Sequence, residues 1–196
     1  VKSIRTEKRA AKVERVLRSR QNTLRVVIEN IHDPHNVSAI FRTCDAAGVP
    51  RVSLVYTFEK FPKIGKKSSA SAFKWVEKEK FKSIEECYAN LHSNGFRIYA
   101  SALNESSVNL FDLDLTEKTA IVLGNEHRGV SEEAAEAADG TFMIPMFGMV
   151  QSLNVSVASA VILYEAMRQR SIKGMYNNSG QSEEEILERA EDWLKK

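Results

Sequence analysis

Short β-branched and apolar runs, each strand-sized, alternate along this chain with segments of helical period, and this alternation restricts the fold more than any other feature. Leu24–Glu29 (LRVVIE) is a β-branched run, and Thr119–Leu123 (TAIVL) is the apolar kind that suits a strand covered on both faces. Val52–Tyr56, Phe96–Ala102 and Thr141–Ile144 read as further strands, with strand-like residues around Lys74–Lys80. Between them, Val37, Ile40, Phe41 and Cys44 recur at helical spacing and Gly48 closes that helix. Ser83 with Glu86 forms a capping-box pattern opening a helix to about His92, followed by Gly95. Ser131 is placed to cap a helix through Ala138, and a long helix runs from Leu153 to about Arg170. Strand and helix in strict alternation predict an α/β fold, a mostly parallel sheet with helices on both faces.

A chain of 196 residues is long enough for one such domain with appendages. Its charge is unevenly spread. Residues 1–25 carry nine Lys/Arg against two Glu, and residues 181–196 carry six acids against three bases. We therefore divide the chain into a basic helical arm (1–20), a central α/β domain (21–172), and a linker with an acidic helix opened by Ser182 and Glu185 (173–196). A basic arm suits a polyanionic partner, because each neutralised phosphate releases counterions; a merely solvated helix has the same composition. Cys44 and Cys87 are the only cysteines and form no CxxC pair, which excludes a disulfide framework and a thiolate zinc site and fits a reducing compartment. No apolar run approaches bilayer length, so we expect no membrane association and a cytoplasmic location.

Parallel sheets bind ligands beyond the carboxyl ends of their strands. Three loop regions occupy such positions and are unusually polar: Asn30–Arg42 (NIHDPHNVSAIFR), Leu123–Ser131 (LGNEHRGVS) and Ile144–Asn154 (IPMFGMVQSLN). The chain has no G-x-G-x-x-G after its first strand, no Walker-type phosphate loop and no G-x-S-x-G elbow, and its four histidines lack metal-ligand spacing. Arg42 follows Phe41 and so points off the apolar stripe, either into an i, i+3 pair with Asp45 or towards a ligand. Asn36 is either the helix cap after Pro34 or a site residue. Glu126 is either solvated in a strand-to-helix turn or part of a pocket. Ser152 is a candidate cap of the long helix, and Asn154 flanks that helix's start.

Taken together, PHNVSAIFRTCDAAGV (Pro34–Val49), IVLGNEHRGVSEEA (Ile121–Ala134) and IPMFGMVQSLNVSVASAVILYEAMRQR (Ile144–Arg170) resemble, in order and spacing, the SPOUT superfamily of RNA methyltransferases. Within it, the chain is most similar to the SpoU-type tRNA guanosine-2′-O-methyltransferases that act on the D-loop. The resemblance implies a parallel α/β sheet whose C-terminal segment forms a deep trefoil knot. It also implies a homodimer, with part of the interface on the helix at 153–168, and active sites joining residues of both subunits. It implies S-adenosyl-L-methionine held by Ser101, Leu123, Gly124, Ile144 and Leu153, transfer of its methyl to a guanosine ribose in tRNA, and no metal. By the same resemblance Arg42, Asn36, Glu126, Ser152 and Asn154 form the catalytic set. Arg5, Lys8, Arg9, Arg15, Arg18 and Arg20, with Arg168 and Arg170, are expected to grip the RNA backbone. The alternatives are a relative acting on ribosomal RNA or another tRNA position, and a non-catalytic RNA-binding relative.

Overall fold

The computed structural model describes residues 2–63 and 72–196, with side chains from Thr6 onward in the first segment. Residues 64–71 and the Arg5 side chain lie outside the described residues. The strands are β1 (Leu24–Glu29), β2 (Arg51–Val55), β3 (Glu77–Phe81), β4 (Arg97–Ser101), β5 (Val108–Asn109), β6 (Thr119–Leu123) and β7 (Gly140–Met143). They form one sheet in the order β3-β2-β1-β6-β4-β7-β5, and each observed pairing is parallel. The centre of the sheet is β1 beside β6, and every residue of both is buried. Alternate side chains of β1 enter opposite layers. Val26 and Ile28 meet Val37, Ile40 and Phe41 of α2 (Pro34–Ala46) and Ile162, Leu163 and Ala166 of α6 (Val155–Ile172). Val27 meets Cys87, Tyr88 and Leu91 of α4 (Ile84–Ser93), with Ala134 of α5 (Glu132–Glu136) nearby. The expected fold class, with helices on both faces, is the one observed.

Helix starts follow side-chain chemistry, with two corrections. Asp33, not Asn36, caps α2: its carboxylate accepts the His35 N–H at 2.8 Å, and Pro34 takes a first-turn place where a missing N–H costs nothing. Asn154, not Ser152, caps α6, accepting the Ser156 N–H at 2.9 Å. Ser83 caps α4 as expected, but Glu86 reaches the Lys82 N–H instead of closing the box. The strand-like stretch from Lys74 opens as a helical turn, α3 (Ala72–Trp75), before β3 begins. The two-residue edge strand β5 carries no periodic signal and is not foreseen by the sequence.

The basic arm is α1 (Lys2–Arg18), and it packs on the acidic helix α7 (Glu183–Lys195). Val13 and Leu17 bury against Ile186, with Ala190, Trp193 and Leu194 around them. Arg18 bridges Glu14 at 2.7 Å and Glu183 at 2.6 Å. The two charged ends of the chain are therefore one helical pair, which explains why each carries an apolar stripe.

Two of the expected RNA-gripping residues are corrected by burial. Arg20 is 1% exposed and paired to Asp45 at 2.6 Å, and its two terminal nitrogens also donate to the Val49 and Trp75 carbonyls. Arg170 is fully buried, with its guanidinium on the backbone carbonyls of Thr23, Leu115 and Glu117. Neither has a surface to offer a partner. Arg168 stays on the surface in a two-pronged pair with Glu165, both contacts at 2.8 Å. Lys8, Arg9 and Arg15 are exposed along α1.

Candidate active site

Because β1, β6 and β7 run in parallel, the loops that follow them emerge from the same edge of the sheet. Asn30 turns the chain at the end of β1 with a left-handed φ of 50°, a conformation asparagine tolerates. Its side-chain oxygen accepts the Thr57 N–H at 2.9 Å, while its backbone carbonyl accepts from the Asn125 amide at 2.8 Å. The first and second loops are thus locked together at their roots.

Above that lock sits a three-residue relay. The Asn36 amide donates to Glu126 Oε1 at 3.1 Å, and the Asn36 carbonyl oxygen accepts from the Asn154 amide at 3.1 Å. Asn154 uses its own oxygen to cap α6. Since only the Asn36 nitrogen can donate to a carboxylate, the orientation of its amide follows from the contacts. Glu126 also accepts the backbone N–H of His32 at 3.2 Å and of Asp33 at 3.0 Å, and meets His32 Nδ1 at 2.9 Å. Partial burial opposes the Glu126 charge, but the Asn36 and backbone N–H donors outweigh it and hold its pKa below the usual carboxylate value. One carboxylate therefore ties the start of α2 to the β6–α5 loop, and Asn36 extends the tie to α6.

The sign of the pH effect follows from that lowered pKa. Stabilisation by Glu126 is complete above its unfolded-state pKa and is lost as pH falls through the lower folded value. The stability difference between wild type and Glu126→Gln, measured by urea unfolding, is expected to be constant near neutrality and to shrink below about pH 4.5. A difference that grows on acidification would contradict the clamp.

A cavity of about 490 Å³ lies between the second and third loops. Ser101, Leu123, Gly124, Ile144 and Leu153, the five positions expected to hold a cofactor, all line it, as do Glu126, Ser152 and Asn154. Asn36 stands behind this wall, 7% exposed, and touches it through Glu126 and Asn154. Arg42 is exposed on α2 and is not part of the lining. Around the rim, His32 stacks on His127 with ring centroids 5.6 Å apart, and the Arg128 guanidinium lies 4.8 Å from the Phe58 ring. The sequence does not single out Asn30, His32, Asp33 and Asn125 as locking residues. Their partners are 27 to 95 residues away, and no local spacing points to them. Among the described residues no cluster of His, Cys, Asp or Glu could hold a metal ion.

A model of the SpoU rRNA methylase family matches residues 23–164, a span that contains the relay and the whole cavity lining. The chain belongs to this family. Among SpoU proteins it is similar to the tRNA (guanosine(18)-2′-O)-methyltransferase of Thermus thermophilus, 46% identical over 192 residues that cover 98% of each chain. The crystal structure of the Aquifex aeolicus TrmH/SpoU tRNA-modifying enzyme superposes with a TM-score of 0.90 at 44% identity, covering 97% of this chain and 96% of that one. The SpoU methyltransferase AviRb of Streptomyces viridochromogenes, solved in complex with AdoMet, gives a TM-score of 0.68 at 26% identity over 78% of this chain and 59% of that one.

The cavity of this SpoU protein has the properties such a cofactor needs. Its volume falls in the range of about 300–1,000 Å³ typical of small-molecule sites, with apolar walls from Leu123, Ile144 and Leu153 beside polar groups from Ser101 and Asn125. Gly124 is the tightest point. A Cβ there would lie 2.1 Å from the Gly129 carbonyl carbon and 2.1 Å from the Val130 nitrogen. Backbone cannot yield as a flexible side chain can, so Gly124→Ala is expected to push the 124–130 loop outwards. We expect S-adenosylmethionine affinity, read by calorimetry, to fall at least tenfold; unchanged affinity would show that this loop does not shape the cofactor site.

Proposed function

We propose that this protein transfers a methyl group from S-adenosylmethionine to the ribose 2′-hydroxyl of guanosine 18 in the tRNA D-loop. The observation that carries the reading is the convergence of all five expected cofactor positions and the Asn36–Glu126–Asn154 relay on one cavity. Near full-length similarity to an enzyme named for that reaction adds the substrate. Bound in the cavity, S-adenosylmethionine supplies a methyl group activated by its sulfonium. The protein's own residues then have separable tasks. Leu123, Ile144 and Leu153 shield the reacting centre from water. Asn36 is a positioning residue, because its nitrogen and oxygen already hold Glu126 and Asn154. Ser152 and Asn154 shape the cavity mouth. Guanidinium has a pKa above about 12 and is a poor base at neutral pH, so we assign Arg42 to clamping an RNA phosphate and stabilising the developing 2′-oxyanion. The proton then leaves through phosphate or water.

The reading includes a homodimer. Phe147 and Met149 are fully exposed, and Val150, Val157 and Tyr164 are at least 48% exposed. Apolar groups of this size crowded on one loop and on α6 suit burial against a second copy. A partner protomer is also the means by which an Arg42 outside its own cavity reaches a reacting ribose. Catalysis is assigned to residues 21–172, with the 124–130 and 144–154 loops as the turns of the trefoil knot. The exposed cations of α1, Lys8, Arg9 and Arg15, with Arg168, are assigned to the tRNA backbone, and the reaction to the cytoplasm.

Methyl-labelled cofactor incubated with a tRNA transcript, followed by mapping of the modified nucleotide, tests the reading. A label on the ribose of guanosine 18 is expected. A label on another nucleotide, or on ribosomal RNA only, would redirect the substrate, and no transfer at all would leave an RNA-binding relative. Deleting the arm is a poor test of its role, since it would also expose Ile186 and remove Arg20 from the interior. Neutralising the exposed Lys8, Arg9 and Arg15 avoids this. Loss of three phosphate contacts is expected to lower the slope of log affinity against log salt by about 2–3. An unchanged slope would make α1 structural only.

A further inference from the structure

A second cavity, of about 210 Å³, opens at the opposite end of the sheet, where the strands begin. Arg25 is the second residue of β1, Arg51 the first of β2 and Glu77 the first of β3, while Lys118 immediately precedes β6 and Arg189 reaches in from α7. Carboxylates here are fewer than cations. Glu77 is shared between Arg51, at 2.7 Å, and Arg189. Glu79 is shared between Arg25, at 2.8 Å, and Arg51, at 3.9 Å. Three guanidiniums thus divide two carboxylates. Lys118 has no carboxylate partner among the described residues; its Nζ lies 5.0 Å from the centroid of the Phe96 ring, and the Arg25 guanidinium lies 5.4 Å from the same ring. Two positive charges are left uncompensated in a concave, partly aromatic wall, which concentrates their field. Arg25 is only 9% exposed, and burial together with the like charge of Arg51 holds its pKa down against the pull of Glu79. The cluster is electrostatically strained in a way that an anion would relieve.

We propose that this cavity binds a phosphate group. Arginine forks present paired N–H donors that match phosphate oxygens, and here they converge from three separate elements, with Asn22 and Asn94 completing a polar rim. The volume is several times the ~30 Å³ share of a water molecule, yet below the ~300 Å³ at which pockets begin to enclose whole cofactor-sized ligands. It therefore suits a phosphate or pyrophosphate rather than a nucleoside. Two sources supply that chemistry: a backbone phosphate of an RNA held by the basic helix α1, or a free phosphate species. The site is separate from the methyl-transfer cavity, and the proposal stands whichever RNA is modified.

The test is calorimetric titration of the 196-residue chain with inorganic pyrophosphate at low salt. Saturable binding to one site is expected, weakened at least tenfold by Lys118→Ala and unaffected by Arg42→Ala. Lys118 is exposed, so its truncation leaves the core intact, and a parallel thermal melt checks this. Absence of saturable binding, or equal binding by Lys118→Ala, would overturn the proposal. Competition then separates the sources. If pyrophosphate displaces tRNA from wild type but not from Lys118→Ala, the occupant is RNA backbone; if it binds tRNA-saturated protein as tightly as free protein, the occupant is a free phosphate species.

Discussion

Arg42→Ala is expected to lower kcat for tRNA methylation by about 10²–10³-fold, the usual cost of removing one preorganised donor to a developing oxyanion. S-adenosylmethionine affinity is expected to be unchanged, because Arg42 does not line the cavity. The combination separates Arg42 from the wall residues, whose loss weakens cofactor binding as well. Arg42→Lys keeps the charge but loses the fork, so its turnover should fall between wild type and alanine. Wild-type turnover by Arg42→Ala would remove the residue from the mechanism. Its position also predicts an outcome for mixed dimers. If the partner supplies Arg42, a heterodimer of one Arg42→Ala protomer and one Gly124→Ala protomer contains one site carrying both lesions and one carrying neither. At S-adenosylmethionine concentrations too low to saturate Gly124→Ala, activity should then rise above the sum of the two impaired variants when they are mixed and allowed to exchange subunits. If each protomer uses its own Arg42, mixing restores nothing.

How far the sequence reveals this protein depends on whether the controlling contact is local. The ranges of β1 and β6 are visible in the sequence because an apolar run buried on both faces is itself the signal. Ser131 and Ser182 are legible caps for the same reason: a hydroxyl answers a backbone N–H three residues away. The caps of α2 and α6 are misassigned by two or three residues where several polar side chains compete. Asp33 could have been found from Pro34, since proline in the first turn places the cap immediately before it. For Ser152 and Asn154 no such rule exists; what distinguishes them is that Asn154 also bonds to Asn36, 118 residues away. The three motif loops are recognisable as a set, and the structure supplies the reason they belong together, a shared Glu126 carboxylate and a shared Asn36 amide. The fates of the arginines are the least legible. Composition treats Arg15, Arg20 and Arg170 alike, but Arg20 meets Asp45 and Arg170 meets three carbonyls inside the fold, and those partners exist only after folding.

Arg170→Met is expected to destabilise the protein by about 3–5 kcal/mol, a large share of the ~5–15 kcal/mol that holds a domain together. The guanidinium donates to the carbonyls of Leu115 at 2.8 Å, Glu117 at 2.8 Å and Thr23 at 3.0 Å, and to the Thr23 hydroxyl at 2.7 Å. Thr23 immediately precedes β1, and Leu115 and Glu117 lie on the segment leading into β6, so one side chain near the end of α6 pins that helix to the approaches of the two central strands. Burial lowers the Arg170 pKa to about 10, which still leaves it charged at neutral pH. Methionine would fill much of the volume but orphan several buried acceptors, each worth about 1–3 kcal/mol when left unpaired, and their losses are not additive. Arg18→Ala provides the contrast: it removes a solvent-screened surface pair and should leave the unfolding midpoint nearly unchanged. The two hypotheses for Arg170 diverge in what is lost. A structural pin predicts a lower unfolding midpoint, with tRNA affinity retained by whatever fraction stays folded at low temperature. A residue that grips RNA predicts normal stability and weakened tRNA binding, and that result would return Arg170 to the surface role that its composition suggests and its burial contradicts.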